Sequence, residues 1–542
     1  MSGLLRANLV VASGTALSRV TGLARVVVFA YVIGQTALAD AYKLANETPN
    51  IVYDLLLGGV LSATLVPVLS SLVTSDDTRG EEWGAASRRS IDAVVTMIVL
   101  ASALVTLLAI AAAPWIFQLY TLTPATTVDA EVFRSAGTAL TRLFALQILF
   151  YGVTGTMNAL LNARRRFAAA AWSPVAANVV VIGTLLTLPG VGERLWGIDD
   201  VGRDDRLRWT LGLGTTLGVA VMAGIVVVAV RRSGVSLRPR WDPRDPAVRR
   251  VARMGGWTVG FVIANQLALV IIRNLAEPGS ALASAYIDAF IFFVLPHGLL
   301  AVSISTTLQP ELARAVAASD RVAFAHRMAF GVRAIVALTV PAAAALIVLA
   351  PRLISSLMER GLFDSTATAN TAAALRGLTI GLVGFSVYLF VLRGFYAHDD
   401  TRTPFWLNVG ENLLNIVLAV VLVGPFGVFG LGLALGIAYL ISAAVAIIVL
   451  DRRHGHRIAP GLLRPVMSLV AAGAAALVVM SVLESLIDDT DGGTLRSVVV
   501  IAAVGIVGLI VYGAVALGLR VEGSATVLRR LRPAAARDRR GG

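Results

Sequence analysis

The sequence predicts an all-α integral membrane protein of fourteen transmembrane helices, built as two six-helix lobes in a parallel pseudo-repeat plus two C-terminal helices. Three observations predict it. Of the 542 residues, 57% are hydrophobic and only 15% charged, with a mean hydropathy of +0.79, far outside the range of soluble domains. Apolar runs of about 20 residues or more recur from end to end, each long enough to cross a hydrocarbon core about 30 Å thick as a helix. Transmembrane strands would instead alternate over about ten residues. Basic residues gather in alternate connections, the positive-inside pattern, and an even number of spans then places both termini in the cytoplasm.

The fourteen runs cover 4–34, 38–73, 90–113, 133–163, 169–189, 209–230, 251–275, 281–312, 328–350, 370–397, 404–424, 427–450, 464–486 and 496–519. The first is too long for a cleavable signal and has no small-residue cleavage site after a short apolar core, so it is expected to stay in the membrane. Several runs exceed one crossing, which predicts tilts or kinks. The net charge of +13 is topological rather than a sign of nucleic-acid binding. It concentrates in Arg164-Arg165-Arg166, the connection Arg231 to Arg253, Arg452-Arg453 and the tail from Arg520 to Arg540, where anionic headgroups attract it.

Several chemistries are excluded. There is no cysteine, hence no disulfide, thiol nucleophile or Cys-zinc site. Lys43 is the sole lysine and stands in no Walker A loop. His297, His326, His398, His454 and His456 lie mainly at span ends or in loops, without metal-ligand spacing. No Gly-x-Ser-x-Gly elbow appears. The chain therefore reads as a transporter without a catalytic role.

Trp172-Ser-Pro-Val-Ala-Ala-Asn178 in the fifth span and Trp406-Leu-Asn-Val-Gly-Glu-Asn412 in the eleventh stand 234 positions apart. That is six spans, which preserves orientation as in transporters built from parallel halves. The expected organisation is an N-lobe over 1–233 (spans 1–6), a cytoplasmic linker over 234–250, rich in Arg and Pro and unable to be one helix, and a C-lobe over 251–453 (spans 7–12). An appended pair of spans over 454–519 and a basic cytoplasmic tail over 520–542 follow.

Arg19 and Arg25 sit inside the first span, where each costs about 2.5–3.5 kcal/mol at a helix centre. Arg19 is roughly 22 Å from the segment start, too deep for easy snorkelling. Guanidinium suits bidentate phosphate binding, so the pair predicts a cationic site for a phosphate-bearing anion. Six residues place the two about 240° apart on an ideal helix. Gly22 between them is expected to act as a hinge, bending or unwinding the helix so that both reach one cavity. In the second span Asp40, Lys43, Glu47, Asn50 and Asp54 follow steps of 3, 4, 3 and 4 and share one face. That face either lines a cavity or pairs internally, Lys43 with Asp40 or Glu47. In the eleventh span Asn408, Glu411, Asn412 and Asn415 again follow 3 and 4. A carboxylate with amide oxygens suits Na+ or a proton relay, and interhelical hydrogen bonding is the competing reading.

Ser18-Arg-Val-Thr-Gly-Leu-Ala-Arg25, Leu38-Ala-Asp-Ala-Tyr42, Pro49-Asn50, Leu65-Val-Pro-Val-Leu-Ser70, Ala285-Tyr-Ile-Asp288, Leu308-Gln-Pro-Glu-Leu312, Glu359-Arg-Gly-Leu-Phe363, Arg393-Gly-Phe-Tyr396 and Asp400-Thr-Arg-Thr-Pro404 occur in this order. Together they resemble the motifs of the MurJ (MviN) lipid II flippases, part of the multidrug/oligosaccharidyl-lipid/polysaccharide (MOP) exporter superfamily, and the resemblance covers spans one to twelve. It implies two six-helix lobes, two extra helices forming a groove for a polyprenyl tail, and alternating access in the bacterial inner (cytoplasmic) membrane. The implied substrate is undecaprenyl-diphosphate-linked peptidoglycan precursor (lipid II), moved from inner to outer leaflet for cell-wall synthesis. The implied partners are this lipid-linked substrate, membrane lipids and other cell-wall synthesis proteins, with no nucleic acid. Arg19 and Arg25 match cavity arginines, Asp40 and Asn50 match the second-span motif, and Asp288 falls in the Tyr-x-Asp motif. The family's sodium site implies Na+ at Asn408 and Asn412. Two family arginines are replaced, by Val52-Tyr53-Asp54 after the Pro-Asn pair and by Ala289 after Tyr-x-Asp. Arg142 or Arg273 could then assist. The replacements leave two alternatives: a flippase for another polyprenyl-diphosphate-linked glycan, and a multidrug or cation antiporter of the same fold, which Arg19 and Arg25 disfavour.

Overall fold

The computed structural model describes residues 3–54, 85–164, 166–455, 457–487 and 493–519. The later part of the second span, the side chains of Tyr53 and Asp54, and the basic tail lie outside the described residues. Everything regular among the described residues is helical. Ten helices are long and apolar enough to cross a membrane, eleven if the pair Ser365–Ile380 and Leu382–Ala397, bent by 48°, is one span. The expected fourteen are consistent with this number once the partly described second span, the seventh at Pro246–Leu275 and a second crossing within Arg402–His454 are added. That last helix has 53 residues, about 80 Å at 1.5 Å per residue, over twice the hydrocarbon thickness. It is interrupted at Gly427 (φ 54°, ψ −137°). A Cβ added at Gly430 would lie 2.2 Å from Leu422 O, whereas eight residues of unbroken helix would separate them by about 12 Å. The chain therefore doubles back at Gly427, a conformation glycine adopts freely.

The chain divides into two compact units, residues 1–284 with 358–364, and 285–357 with 365–542. The boundary between these units falls at Ser284–Ala285, so the seventh span belongs to the first unit. The physical reason is pairing by the seventh span. Arg273 forms an ion pair with Glu47, and Asn274 Oδ1 accepts the Leu122 N–H at 2.6 Å while its Nδ2 donates to Leu119 O at 2.8 Å.

In the first unit the helices are α1 (Gly3–Ile33), α2 (Ala37–Asp54), α3 (Ala85–Ala111), α4 (Ala113–Tyr120), α5 (Ala130–Ala163), α6 (Ala168–Leu185), α7 (Asp205–Arg232) and α8 (Pro246–Leu275). Helix α6 lies against α1 and α7, and α5 against α2, α3 and α7. Phe29, Tyr42, Phe117, Phe133 and Phe144 fill the core between them. Polar capping marks both ends of this unit. At one end Arg134 donates to Thr121 O at 2.8 Å beside the Asn274 bonds. At the other the Arg238 N–H donates to Asp92 Oδ1 at 3.0 Å and Ser90 Oγ to Asp245 Oδ2 at 2.8 Å. The first end gathers the connections at 121–134 and 274, the second those at 90–92 and 238–245.

The second unit holds α9 (Leu282–Pro296, from Ala285 onward), α10 (Val302–Ala317), α11 (Arg321–Met358), α12 (Ser365–Ile380), α13 (Leu382–Ala397), α14 (Arg402–His454), α15 (Leu463–Ser485) and α16 (Thr494–Gly518). A π-helical turn, His297–Ala301, joins α9 to α10. His297 is therefore inside a span rather than at its end, and it is satisfied there by Ser386 Oγ at 3.0 Å. Small residues let α12 and α13 approach α14 at backbone distance: a Cβ at Gly381 would stand 2.2 Å from Gly436 Cα, the close packing that drives helix association in lipid. Gly381→Val should cost about 3 kcal/mol through overpacking, visible as a lowered thermal midpoint in detergent. The appended pair α15 and α16 packs on α11 through Tyr512, whose hydroxyl donates to Ala337 O at 3.0 Å, and through Arg352 Nε to Glu484 at 2.7 Å. Large apolar side chains such as Leu104, Leu107, Leu108, Val421, Leu509 and Ile510 face outward. With so many spans this describes a multi-pass membrane protein.

Candidate functional site

Helix α1 is continuous across Gly22, so the expected hinge is absent. Its neighbours explain why. Asn178 Nδ2 on α6 donates to Ser18 O at 3.3 Å and Thr21 Oγ1 at 3.1 Å, and Trp172 Nε1 donates to Val10 O at 3.0 Å. Helix α6 thus clamps α1 at Val10, Ser18 and Thr21, up to the residue before Gly22. The residues that suggested a repeat serve here as this clamp, whereas Trp406 is exposed and Asn412 bonds within its own helix. With α1 straight, Arg19 and Arg25 stand about 9 Å apart along the axis and point to different sides. Arg19 is exposed and Arg25 half-buried. Neither has a carboxylate partner among the described residues, which sets them apart from the ion-paired Arg273. Arg142 is exposed on α5.

The polar stripe of α2 is engaged in packing. Asp40 is fully buried, and its carboxylate accepts the Gly279, Ala281 and Ser284 N–H groups at 2.9, 3.0 and 2.7 Å. It caps the first turn of α9 from a distance and holds a connection in which Glu277, Gly279 and Ala281 all have positive φ, strained for the two that are not glycine. Both Asp40 oxygens are occupied by backbone N–H groups in this structure. Asn46 Oδ1 accepts Gln147 Nε2 at 3.1 Å, and Asn50 Oδ1 accepts the Tyr151 hydroxyl at 3.3 Å. Glu47 answers Arg273, and Lys43 lies 5.4 Å from the Phe29 ring centre. Asp288, in the second unit, is 2% exposed.

In the second unit the buried carboxylate of Glu411 is 2% exposed. Its Oε1 and the Oδ1 of Asn415, four residues on and so on the same face, have no hydrogen-bond partner among the described residues. The hydroxyl of Tyr388 shares that condition, and both Tyr388 and Tyr439 lie within electrostatic reach of Glu411. The expected Na+ pair fits less well, since the Asn412 amide donates to Asn408 O and Oδ1 at 2.9 and 3.2 Å. The orphaned oxygens that suit a small cation or a proton are those of Glu411 and Asn415. Sequence spacing had placed Asn415 in this polar row without distinguishing it from Asn408. No cluster of three or more His, Cys, Asp or Glu suited to a metal occurs among the described residues.

The chain resembles known proteins over most of its length. A family described as "Lipid II flippase MurJ" matches residues 29–501. A lipid II flippase MurJ of Burkholderia cenocepacia is 29% identical over 474 residues, 86% of this chain and 88% of that relative. A probable lipid II flippase MurJ of Vibrio cholerae is 28% identical over 450 residues, 82% of each chain. Among solved structures, a lipid II flippase MurJ in an inward closed conformation superposes with a TM-score of 0.73 at 20% identity, covering 96% of this chain and 99% of that one. An inward-facing multidrug resistance MATE transporter of the MOP superfamily gives 0.64 at 13%, covering 82% and 98%. These structural likenesses place the fold, and the family match over 29–501 places the lineage: the chain belongs to the lipid II flippase MurJ family.

Proposed function

We propose that this protein is a flippase that carries undecaprenyl-diphosphate-linked peptidoglycan precursor from the inner to the outer leaflet of the bacterial cytoplasmic membrane by alternating access, with both termini in the cytoplasm. The observation that carries the reading, beyond family membership, is the pair of carboxylate-free arginines in α1. An uncompensated guanidinium at membrane depth is costly, and a diphosphate supplies the missing charge with bidentate geometry. Because α1 is unbroken, the two act as successive rungs rather than as one clamp: Arg19 nearer the cytoplasmic end and Arg25 nearer the outer end. The exposed apolar flanks of α15 and α16 offer the surface for the polyprenyl chain. The test is leaflet accessibility of lipid II in cells depleted of the endogenous flippase and supplied with this chain. Externally accessible lipid II should be restored, and failure with normal membrane expression would refute the reading.

A second reading is supported by Ala289, which is 0% exposed, so the space that a family arginine would need is closed. Another polyprenyl-diphosphate glycan is then the cargo, and the same assay with that lipid in place of lipid II separates the two.

Coupling belongs to Glu411 in this proposal. A buried carboxylate facing unsatisfied oxygens is stabilised by a bound proton or Na+, and its loading state biases the cycle. Glu411→Gln keeps the shape and removes the charge. Transport should become insensitive to imposed proton and sodium gradients, measured in proteoliposomes with one gradient at a time.

A further inference from the structure

A cavity of about 530 Å3 opens in the second unit where α10, α11, α13 and α14 end or begin, lined by Ser319, Arg321, Phe324, His398, Arg452 and Arg453, among others. All its charged walls lie in connections that charge asymmetry assigns to the cytoplasm. We propose that this cavity binds a phosphate group presented at the cytoplasmic face, a site separate from the cargo path and independent of what the protein transports.

The argument begins with charge. Three guanidiniums, Arg321, Arg452 and Arg453, and two imidazoles, His398 and His454, surround the space. Two carboxylates offset part of this charge. Asp320 accepts the Ala323 N–H at 2.8 Å as the cap of α11. Asp400 accepts the Thr403 N–H at 3.0 Å and its hydroxyl at 2.6 Å, and receives Arg453 Nε at 3.0 Å. Asp451 turns away to accept the Ile458 and Ala459 N–H groups. Arg321 and Arg452 are left exposed and without a carboxylate partner among the described residues. The last turn of α14 attracts cations through its helix dipole, which accounts for Arg453 and His454 near it. It does not account for Arg321, on a different helix at an N-terminus, where a cation is disfavoured. An anion in the cavity answers both, and guanidinium paired with phosphate is the strongest such contact available to a side chain. The Asp400-Thr-Arg-Thr-Pro404 motif acquires a role as well: by fixing Arg453 through Asp400, it sets one wall of the site.

The imidazoles add a pH response. His398 and His454 stack with ring centres 4.0 Å apart, and Phe324 meets His398 edge-on at 4.8 Å. Burial holds His454 below the ordinary imidazole value, with help from His398 and Arg453 and against Asp400. A bound phosphate opposes that shift, so phosphate and proton favour each other's binding, and affinity rises as pH falls from 7.5 to 5.5.

The experiment uses the full-length protein in detergent and in nanodiscs. Thermal stabilisation is read with inorganic phosphate, and with phosphatidylglycerol against phosphatidylcholine, for the wild type, the Arg321→Gln/Arg452→Gln double variant and His454→Gln. Both arginines are surface side chains, and unchanged thermal midpoints without ligand verify that the variants fold. The wild type should respond to phosphate or phosphatidylglycerol and not to phosphatidylcholine, several-fold more tightly at pH 5.5 than at 7.5. The double variant should lose the response at least tenfold, and His454→Gln should flatten its pH dependence. A response to phosphatidylglycerol alone identifies a lipid headgroup as the source, and one to inorganic phosphate identifies a soluble anion. No response to either, or a response equal in the double variant, overturns the proposal. Because transport is not measured, the outcome stands apart from the flippase reading.

Discussion

Asp40→Ala lowers the thermal midpoint more than any other single substitution expected here. Its carboxylate is the acceptor for three backbone N–H groups in the α8–α9 connection, two of them buried and that of Ala281 partly so, and each buried donor left unanswered costs about 1–3 kcal/mol. Water entering the vacated space recovers part, leaving roughly 3–5 kcal/mol, the scale seen when one partner of a buried charged contact is removed. The loss should be local before it is global. Glu277 and Ala281 hold positive φ, and without their anchor they relax toward ordinary backbone. Proteolysis or hydrogen exchange should therefore accelerate first across 276–284. Asp40→Asn, which keeps one acceptor oxygen, should fall between the two. A midpoint unchanged by Asp40→Ala would show that the connection is held by something else.

Arg25→Ala should behave in the opposite manner: stability held or raised, transport lost. Removing an uncompensated guanidinium from a membrane helix relieves about 2.5–3.5 kcal/mol of insertion cost, so expression should not suffer. If Arg25 meets the diphosphate, deleting one partner of a desolvated charge pair costs about 2–5 kcal/mol, which at 1.4 kcal/mol per decade is about 30-fold or more in transport rate. Arg25→Lys should recover only part, since an ammonium offers a point charge in place of a planar fork. The leaflet-accessibility assay reads all three. Normal flipping by Arg25→Ala would remove this arginine from the cargo path.

What the sequence revealed, and where it stopped, follows the range of each interaction. Helix identity comes from local composition, and it matches the helices found among the described residues, down to the split at Gly427 between the 404–424 and 427–450 runs. The stripe on α2 was legible as a stripe because 3,4 spacing is local. Its purpose was not, because the groups it serves, from Gln147 and Tyr151 to Arg273 and Ser284, lie 101 to 244 positions away. Gly22 illustrates the same limit. A glycine permits a break, but whether the helix breaks depends on Asn178, 157 positions from Thr21. In the eleventh span the periodicity found the polar row, yet only packing decides that Asn408 is occupied by Asn412 while Glu411 and Asn415 are left facing buried space.

The reversal at Gly427 also bears on how the chain enters the bilayer. From Asn412 to Leu450, 39 consecutive residues carry no Asp, Glu, Lys or Arg, and the turn itself is Gly424-Pro-Phe-Gly427. No hydrophilic loop has to be dragged through the membrane there, so the two arms of α14 can leave the translocon together as a preformed hairpin, without a separate topogenic decision for each. The same brevity leaves that tip without a side chain for an impermeant amine- or carboxyl-directed reagent to label. Surface mapping would then report one buried stretch where two crossings exist.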